Sequence, residues 1–477
     1  MLFNSLEFLL FLPIVFSLYW FVFNKNLKIQ NTLILVSSYM FYGWWDSRFL
    51  TLIFLSTIVD FSIGLNIAKT SPRKKQKALL WCSILFNLSV LGFFKYYNFF
   101  VDSWLELLRS VGYEIKSVWT LNIILPVGIS FYTFQTMSYT IDIYRKKLKP
   151  TKDFIAFASF VSFFPQLVAG PIERATNLLP QILRKRVFKY EQGVQGLRLI
   201  LWGMFKKVVI ADSLAPMVDD IFNNYQDFGG GTLWLGAIYF AFQIYCDFSG
   251  YSDIAIGTAK LFGIELMSNF KFPYFSRNVG EFWRRWHISL SSWFRDYLYI
   301  PIGGSKKGKW KSVRNIFIIF LVSGFWHGAN WTFIIWGLFH ALLFLPSFIF
   351  KTNRKYTSSI IGENYLLPTP KELLQVGTTF ILVTIGWVFF RSESLNHAWN
   401  YLSGMFLGDN FSVFSFLFLK YLLLLSLFGA LDFIFYKKNI LQKKSIKNEL
   451  ILMAITLVLV VSIVIGQENK SFIYFEF

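Results

Sequence analysis

Over and over along its length this chain returns to apolar runs of about 17–25 residues, the length that carries a helix across the hydrocarbon core of a bilayer. Candidate segments lie at 5–23, 31–45, 48–68, 78–97, 121–144, 153–170, 193–211, 231–248, 314–326, 331–350, 372–390, 411–435 and 449–466. Several of them are short or polar, so about eleven true spans are expected. Lipid offers no hydrogen bonds to exposed backbone, whereas a helix satisfies its own. The pattern therefore predicts an all-α polytopic membrane protein. Residues 1–23 hold no basic residue ahead of the apolar run and no small-residue cleavage site, so they read as a retained first span rather than a signal peptide.

Charge supports the same solvent. Lys and Arg outnumber Asp and Glu by 47 to 27, a net charge of +20 that in a soluble chain would point to nucleic acid. Here the cations stand in short clusters between apolar runs, as topology rules require. Lys25 and Lys28, then Arg73, Lys74, Lys75 and Lys77, then Arg145 to Lys152 recur after every second span. Positive loops face the cytoplasm, which sets the N-terminus outside. Continuing the alternation puts Lys351, Arg354, Lys355 and the Lys437–Lys447 loop inside and the 391–410 loop outside. A hydrophobic fraction of 55% and a mean hydropathy of +0.48 agree. The two cysteines, Cys82 and Cys246, cannot build a disulfide framework or a Cys-based zinc site.

Residues 160–330 break this regularity with Pro165, Gly170, Pro171, Gly250, Pro273, Pro301, Gly303 and Gly304. Irregular backbone at membrane depth is tolerated where it is buried in protein or lines a wet cavity, so the functional site is expected there. Asp142, Glu173, Arg174, Asp247 and Asp253 add ionisable groups in or beside apolar runs, each costly without a partner. They read either as buried ion pairs or as parts of a site. Residues 281–299 are too polar to span yet rich in Trp, Phe and Arg, and they suit an amphipathic helix at the cytoplasmic interface beside Lys306, Lys307, Lys309 and Lys311. Arg284, His287 and Ser291 would then share one face.

Imidazole is the side chain best suited to proton transfer near neutral pH, and the four histidines are His287, His327, His340 and His397. His327 lies in Ser-Gly-Phe-Trp-His-Gly-Ala-Asn-Trp (323–331) between two apolar runs, bracketed by Gly324 and Gly328. Such glycines permit close backbone approach and a helix break that presents a side chain to a cavity. His340 reads as a helix-packing residue and His397 as a solvated loop residue. His287 would be a second polar group at the cytoplasmic mouth. The sequence has no G-x-S-x-G elbow, H-E-x-x-H, Cys-x-x-Cys or G-x-G-x-x-G after a strand. Gly303 to Lys309 matches G-x-x-x-x-G-K, but Trp310 replaces the required hydroxyl residue. It reads as a basic loop. What remains is a reaction needing one base, a pocket and an activated substrate, and acyl transfer from a thioester to an alcohol fits.

Four motifs carry a family resemblance: Phe-Phe-Pro-Gln-Leu-Val-Ala-Gly-Pro-Ile (163–172), Tyr-Cys-Asp-Phe-Ser-Gly-Tyr-Ser-Asp (245–253), Asn-Val-Gly-Glu-Phe-Trp-Arg-Arg-Trp-His-Ile-Ser-Leu-Ser (278–291) and Gly-Phe-Trp-His-Gly-Ala-Asn-Trp (324–331). From about residue 1 to 465 the chain resembles the bacterial branch of the membrane-bound O-acyltransferase (MBOAT) family, most of all the membrane subunits of alginate O-acetyltransferases. The resemblance implies a ring of tilted helices, with re-entrant and interfacial segments, around a central tunnel. The essential histidine there would be His327 and the second marked histidine His287. Gln166, Asp247, Ser249, Asp253, Trp283, Arg284, Trp326 and Asn330 become candidates to line the tunnel or bind substrate. No metal is implied and no tightly bound cofactor. The donor would be an acetyl thioester, most simply acetyl-CoA, whose phosphates the basic loops could attract. An extracytoplasmic partner of the SGNH-hydrolase-like acetyltransferase kind would finish delivery to the polysaccharide at the cell membrane.

Without an internal repeat, residues 1–477 read as a single membrane-embedded domain, with its motif-bearing core at about 120–350 and peripheral helices at about 1–100 and 370–466. Two alternatives stay open beside polymer O-acetylation. One is D-alanyl transfer to teichoic acid, a neighbouring branch; the other is a transporter or flippase, since broken helices with intramembrane charges also build transport sites.

Overall fold

The computed structural model describes residues 1–113, 121, 123–306, 308–357, 360–362, 367–408, 416–438, 451–459 and 472. Lys307, the 439–447 basic loop, the start of the 411–435 segment and all but 451–459 of the 449–466 segment lie outside the described residues. Among the described residues every regular element is helical. Four helical runs are long and apolar enough, by length and composition, to cross a membrane: Ser47–Lys69, Arg73–Ser110, Trp331–Ile349 and Pro370–Arg391. The run Leu6–Val22 is apolar but shorter.

The chain packs as two compact units, residues 1–193 with 259–267, and residues 194–258 with 268–477. In the first, α1 (Leu6–Ser17), α2 (Leu27–Gly43), α3 (Leu50–Lys69) and α4 (Arg73–Leu91) fall on the expected apolar runs, α5 (Tyr97–Ser110) lies beyond the expected 78–97 run, and α6 (Ile129–Tyr144) takes up only the later part of the expected 121–144 run. The expected 153–170 span is not one helix. It divides into α7 (Phe154–Ser162) and α8 (Phe164–Leu167), because Pro165 starts the second piece and Phe163 leaves helical geometry at ψ 106°. Ser38 on α2 accepts the freed Phe164 N–H at 3.1 Å. After α9 (Ala175–Ile182) the unit closes around Glu173, which accepts from Asn177 Nδ2 at 2.6 Å and from the Met267 N–H. A buried carboxylate on α3, Asp60, is met by α4, accepting from Ser83 Oγ at 2.5 Å and Asn87 Nδ2 at 2.8 Å. Neutral donors thus satisfy a charge that lipid would penalise.

The second unit holds most of α10 (Tyr190–Met204), a π-helical turn Phe205–Ala211, α11 (Asp212–Asn223), most of α12 (Gly230–Leu261), and then α13 (Val279–Arg285) and α14 (Ile288–Phe294). It continues with α15 (Lys309–His327), α16 (Trp331–Ile349), α17 (Pro370–Arg391), α18 (Leu395–Leu407) and α19 (Phe416–Lys438). α18 occupies the stretch expected as an outside loop, and its half-buried His397 stacks on Tyr225 at 4.8 Å between ring centroids. Ser394 caps that helix through its hydroxyl, a start signal that loop polarity had masked.

α15 and α16 touch backbone to backbone. A Cβ on Gly324 would stand 2.2 Å from the Phe333 carbonyl oxygen, and one on Gly337 2.3 Å from that of Phe320. Only glycine fits at this crossing, which is the close approach the motif predicts. Gly328 then leaves the helix at ψ 153°, and Asn330 restarts it by accepting the Thr332 N–H at 3.0 Å. The break between the two spans therefore follows from local chemistry, and it ends α15 on His327.

Candidate active site

His327 is the last residue of α15 and is buried. Its ring stands edge-on to Trp326 (5.1 Å between centroids), Trp336 (5.1 Å) and Phe390 (5.4 Å), and 6.1 Å from the ring of His287. The two sequence-predicted histidines therefore meet. At that separation one small bridging group, such as a hydroxyl, can reach both rings.

The segment bearing His287 is not a continuous surface helix. α13 ends at Arg285, His287 takes a left-handed backbone (φ 44°, ψ 54°) and α14 begins at Ile288. Arg284, His287 and Ser291 consequently do not share a helical face, and Phe282, Trp286, Leu290, Trp293 and Phe294 are buried instead of lying along an interface. A left-handed histidine is uncommon and persists where its surroundings over-determine it.

Those surroundings are supplied by Asn269. Its carbonyl oxygen accepts from the Ser289 N–H (3.4 Å) and lies 2.9 Å from both Ser289 Oγ and His287 Nδ1, while its backbone oxygen accepts the Ile288 N–H at 2.9 Å. The Asn269 amide nitrogen donates to Ser252 Oγ at 3.2 Å. A backbone N–H can only donate, so the Asn269 oxygen is the acceptor and His287 carries its proton on Nδ1. Nε2 keeps the lone pair, and among the described residues it has no hydrogen-bond partner. Asn269 was not legible beforehand; its single signal was a polar residue in Ser-Asn-Phe-Lys between apolar stretches. Asn269→Ala is expected to lower acyl transfer about tenfold, the worth of one buried hydrogen bond, measured as turnover at equal protein level.

The other candidates have definite places. Trp326 packs on both histidines, at 5.9 Å from His287. Trp283 lines a cavity of about 700 Å³ in the second unit, with Phe320 and Ser323 on its α15 wall and Arg295, Lys309, Lys351 and Arg354 also contributing. Ser323 is one turn before His327. Asn330 is the α16 cap and also donates to the Glu393 carbonyl at 2.8 Å. Arg284 donates to the carbonyls of Asn353 and Tyr356. Asp247 pairs with Lys207 (2.7 Å), which also holds Asp212 (2.8 Å). Asp253 pairs with Lys206 (2.7 Å), whose ammonium also donates to Ser249 (2.8 Å). Gln166 lies in the first unit, buried, with its side-chain nitrogen 3.5 Å from the Phe160 carbonyl. Among the described residues no cluster of His, Cys, Asp and Glu has the arrangement of a metal site.

Comparison with known proteins decides the family. The sequence profile of MBOAT, the membrane-bound O-acyltransferase family, matches residues 96–358, over half of the chain and spanning both histidines. The chain belongs to the membrane-bound O-acyltransferase family. This O-acyltransferase is 42% identical over 415 residues to the "Probable alginate O-acetylase AlgI" of Azotobacter vinelandii, covering 86% of this chain and 79% of that one. It is 36% identical to the "Peptidoglycan O-acetyltransferase" of Helicobacter pylori, with 85% and 80% covered. To the "Teichoic acid D-alanyltransferase" of Bacillus subtilis it is 29% identical, with 58% and 71% covered. These relatives are transferases, and the acyltransferase family replaces the transporter reading.

Proposed function

We propose that this acyltransferase takes an acetyl group from a cytoplasmic thioester, most simply acetyl-CoA, and passes it across the membrane to a hydroxyl of an exported polysaccharide, alginate-like or another cell-surface polymer. The observation that carries the reading is the meeting of His327 and His287 at a helix break, with the lone pair of His287 Nε2 available. His327 acts as general base. It takes the hydroxyl proton as the oxygen attacks the thioester carbonyl; the C–O bond forms, the C–S bond breaks and the thiolate leaves with the electron pair. His287 Nε2 accepts a hydrogen bond from the incoming hydroxyl and so aims it. Transfer is direct, without an acyl-histidine.

The cavity beside Ser323 supplies a donor site of fitting chemistry: Trp283 and Phe320 offer apolar wall for the thioester arm, and Arg295, Lys309, Lys351 and Arg354 offer cations for phosphate. With this reading go about eleven spans ringed around a tunnel, a single membrane domain, an outside N-terminus, residence in the cytoplasmic membrane, and an SGNH-hydrolase-like extracytoplasmic partner that completes delivery. Acetyl transfer is favoured over D-alanyl transfer because similarity to the alginate relative is both higher and longer.

The test is turnover of acetyl-CoA by purified protein in detergent, with no gradient, in the presence of the extracytoplasmic partner and an O-acetylatable polysaccharide. Turnover is expected, and reversing Lys309 and Arg354 to Glu should raise KM for acetyl-CoA about tenfold, two charge pairs' worth, at little-changed kcat. Inertness toward acetyl-CoA, with consumption of a carrier-bound D-alanyl thioester, would transfer the proposal to the second reading.

A further inference from the structure

His340, on α16, is completely buried, yet acyl transfer as described makes no use of it. Its ring is walled by Trp336 (4.9 Å between centroids), Trp283 (5.0 Å), Phe339 (5.9 Å) and Phe282 (6.4 Å). A histidine kept for packing alone normally donates from one ring nitrogen and accepts at the other. Among the described residues neither Nδ1 nor Nε2 of His340 has a hydrogen-bond partner, and the same holds for the indole N–H groups of Trp283 and Trp336. Four buried polar atoms thus belong to three rings in mutual contact, with Trp283 and Trp336 5.7 Å apart. α17 makes room for the imidazole with Gly386, where a Cβ would stand 2.8 Å from His340 Nε2.

The two tryptophans tie this cluster to both ends of the reaction. Trp283 is a wall of the donor cavity, and Trp336 is in edge-on contact with His327. His340 therefore touches both the tryptophan of the cavity wall and the tryptophan that meets the base. Polar atoms of this kind, two imidazole nitrogens and two indole N–H groups, supply the two to four partners that a buried water requires.

We propose that His340 is a positioning residue for acyl transfer: with Trp283 and Trp336 it holds water between the donor cavity and His327, and this water carries the proton taken by His327 to the departing thiolate. The step balances. The hydroxyl proton goes to His327, the C–O bond forms, the C–S bond breaks with its electron pair on sulfur, and the proton passes from His327 through the water that His340 holds to that sulfur. His327 returns neutral and a free thiol departs. The inference rests on His327 being the base, so His327→Ala is run in parallel.

The experiment compares purified wild type, His340→Phe and His340→Gln with two donors, acetyl-CoA and the acetyl thioester of an acidic aryl thiol that leaves without needing a proton. Expected for His340→Phe is an unchanged thermal midpoint and KM with kcat for acetyl-CoA lowered about 10²-fold, the scale of one proton-transfer role. The loss should shrink below about threefold with the aryl thioester, and His340→Gln should recover part of it. A ring that only packs would lower both donors equally, and that result, or wild-type kcat in His340→Phe, overturns the proposal. Should His340→Phe fail to fold, Gly386→Ala presses a methyl on Nε2 while keeping the imidazole, and the same contrast between donors decides. Acetyl transfer surviving in His327→Ala would instead overturn the base assignment itself, whereas a dead His327→Ala beside an unaffected His340→Phe overturns the relay alone.

Discussion

His327→Ala will lower acyl transfer by about 10²–10⁴-fold, the range that a positioned general base contributes, while the protein accumulates to wild-type level. Accumulation is expected to survive because the helix break depends on backbone and caps rather than on the imidazole: Gly324 at the crossing, Gly328 after it and the Asn330 cap all remain. Alanine also continues a helix end without strain. What disappears is the imidazole proposed as proton acceptor, which packs between Trp326, Trp336 and Phe390. His287→Ala should cost less, about tenfold, because it removes one hydrogen bond to the acceptor hydroxyl and not the proton transfer. Both are read as polymer acetyl content per cell at matched protein level, and as thioester turnover by the purified variants. Unchanged acetylation in His327→Ala would remove the proposed base, and a loss at His287 as deep as at His327 would reverse the two roles.

How far the sequence made this site legible depends on whether each cause was local. The 331–350 and 372–390 runs became Trp331–Ile349 and Pro370–Arg391 almost residue for residue, since Asn330 and the Thr369–Glu372 capping box start those helices from residues directly adjoining the segments. His327 was visible for the same reason: two glycines and a cap stand within three residues of it. The segment 281–299 was misjudged because its helical periodicity is real but its break is not locally encoded. His287 is turned left-handed by hydrogen bonds to Asn269, eighteen residues away, and no spacing rule connects the two. Asp247 and Asp253 announced themselves as charges that needed partners. Their partners were concealed, because Lys206 and Lys207 lie inside 193–211, a run whose other members are mostly apolar. The two lysines are consecutive, which in an α-helix points them to different neighbours. Here they fall in the wider π-helical turn Phe205–Ala211, and both reach carboxylates of α12.

That arrangement makes Lys207→Met the substitution expected to damage the fold most. Lys207 Nζ lies 2.7 Å from Asp247 and 2.8 Å from Asp212, and all three side chains are at most 7% exposed. Methionine keeps most of the aliphatic stem, so packing volume changes little. Removing the cation, however, leaves two carboxylates buried beside one another, where each lacks the charge that offset its desolvation and each repels the other. Breaking a buried pair in this way costs about 3–5 kcal/mol, a large share of the 5–15 kcal/mol or so by which a typical protein is stable. The expected result is a strongly reduced yield of folded protein, seen as loss of a monodisperse peak in detergent and a lowered thermal midpoint. The energetic asymmetry of buried ion pairs then provides the control. Neutralising the carboxylates as well, in Lys207→Met with Asp212→Asn and Asp247→Asn, removes the charges together with their partner and should restore folding, because a well-packed neutral cluster costs no more than a paired one. If the triple variant also turns over acetyl-CoA at close to the wild-type rate, Asp247 is a structural counter-ion of its motif. A triple variant that folds but does not react would return Asp247 to the list of groups that meet the substrate.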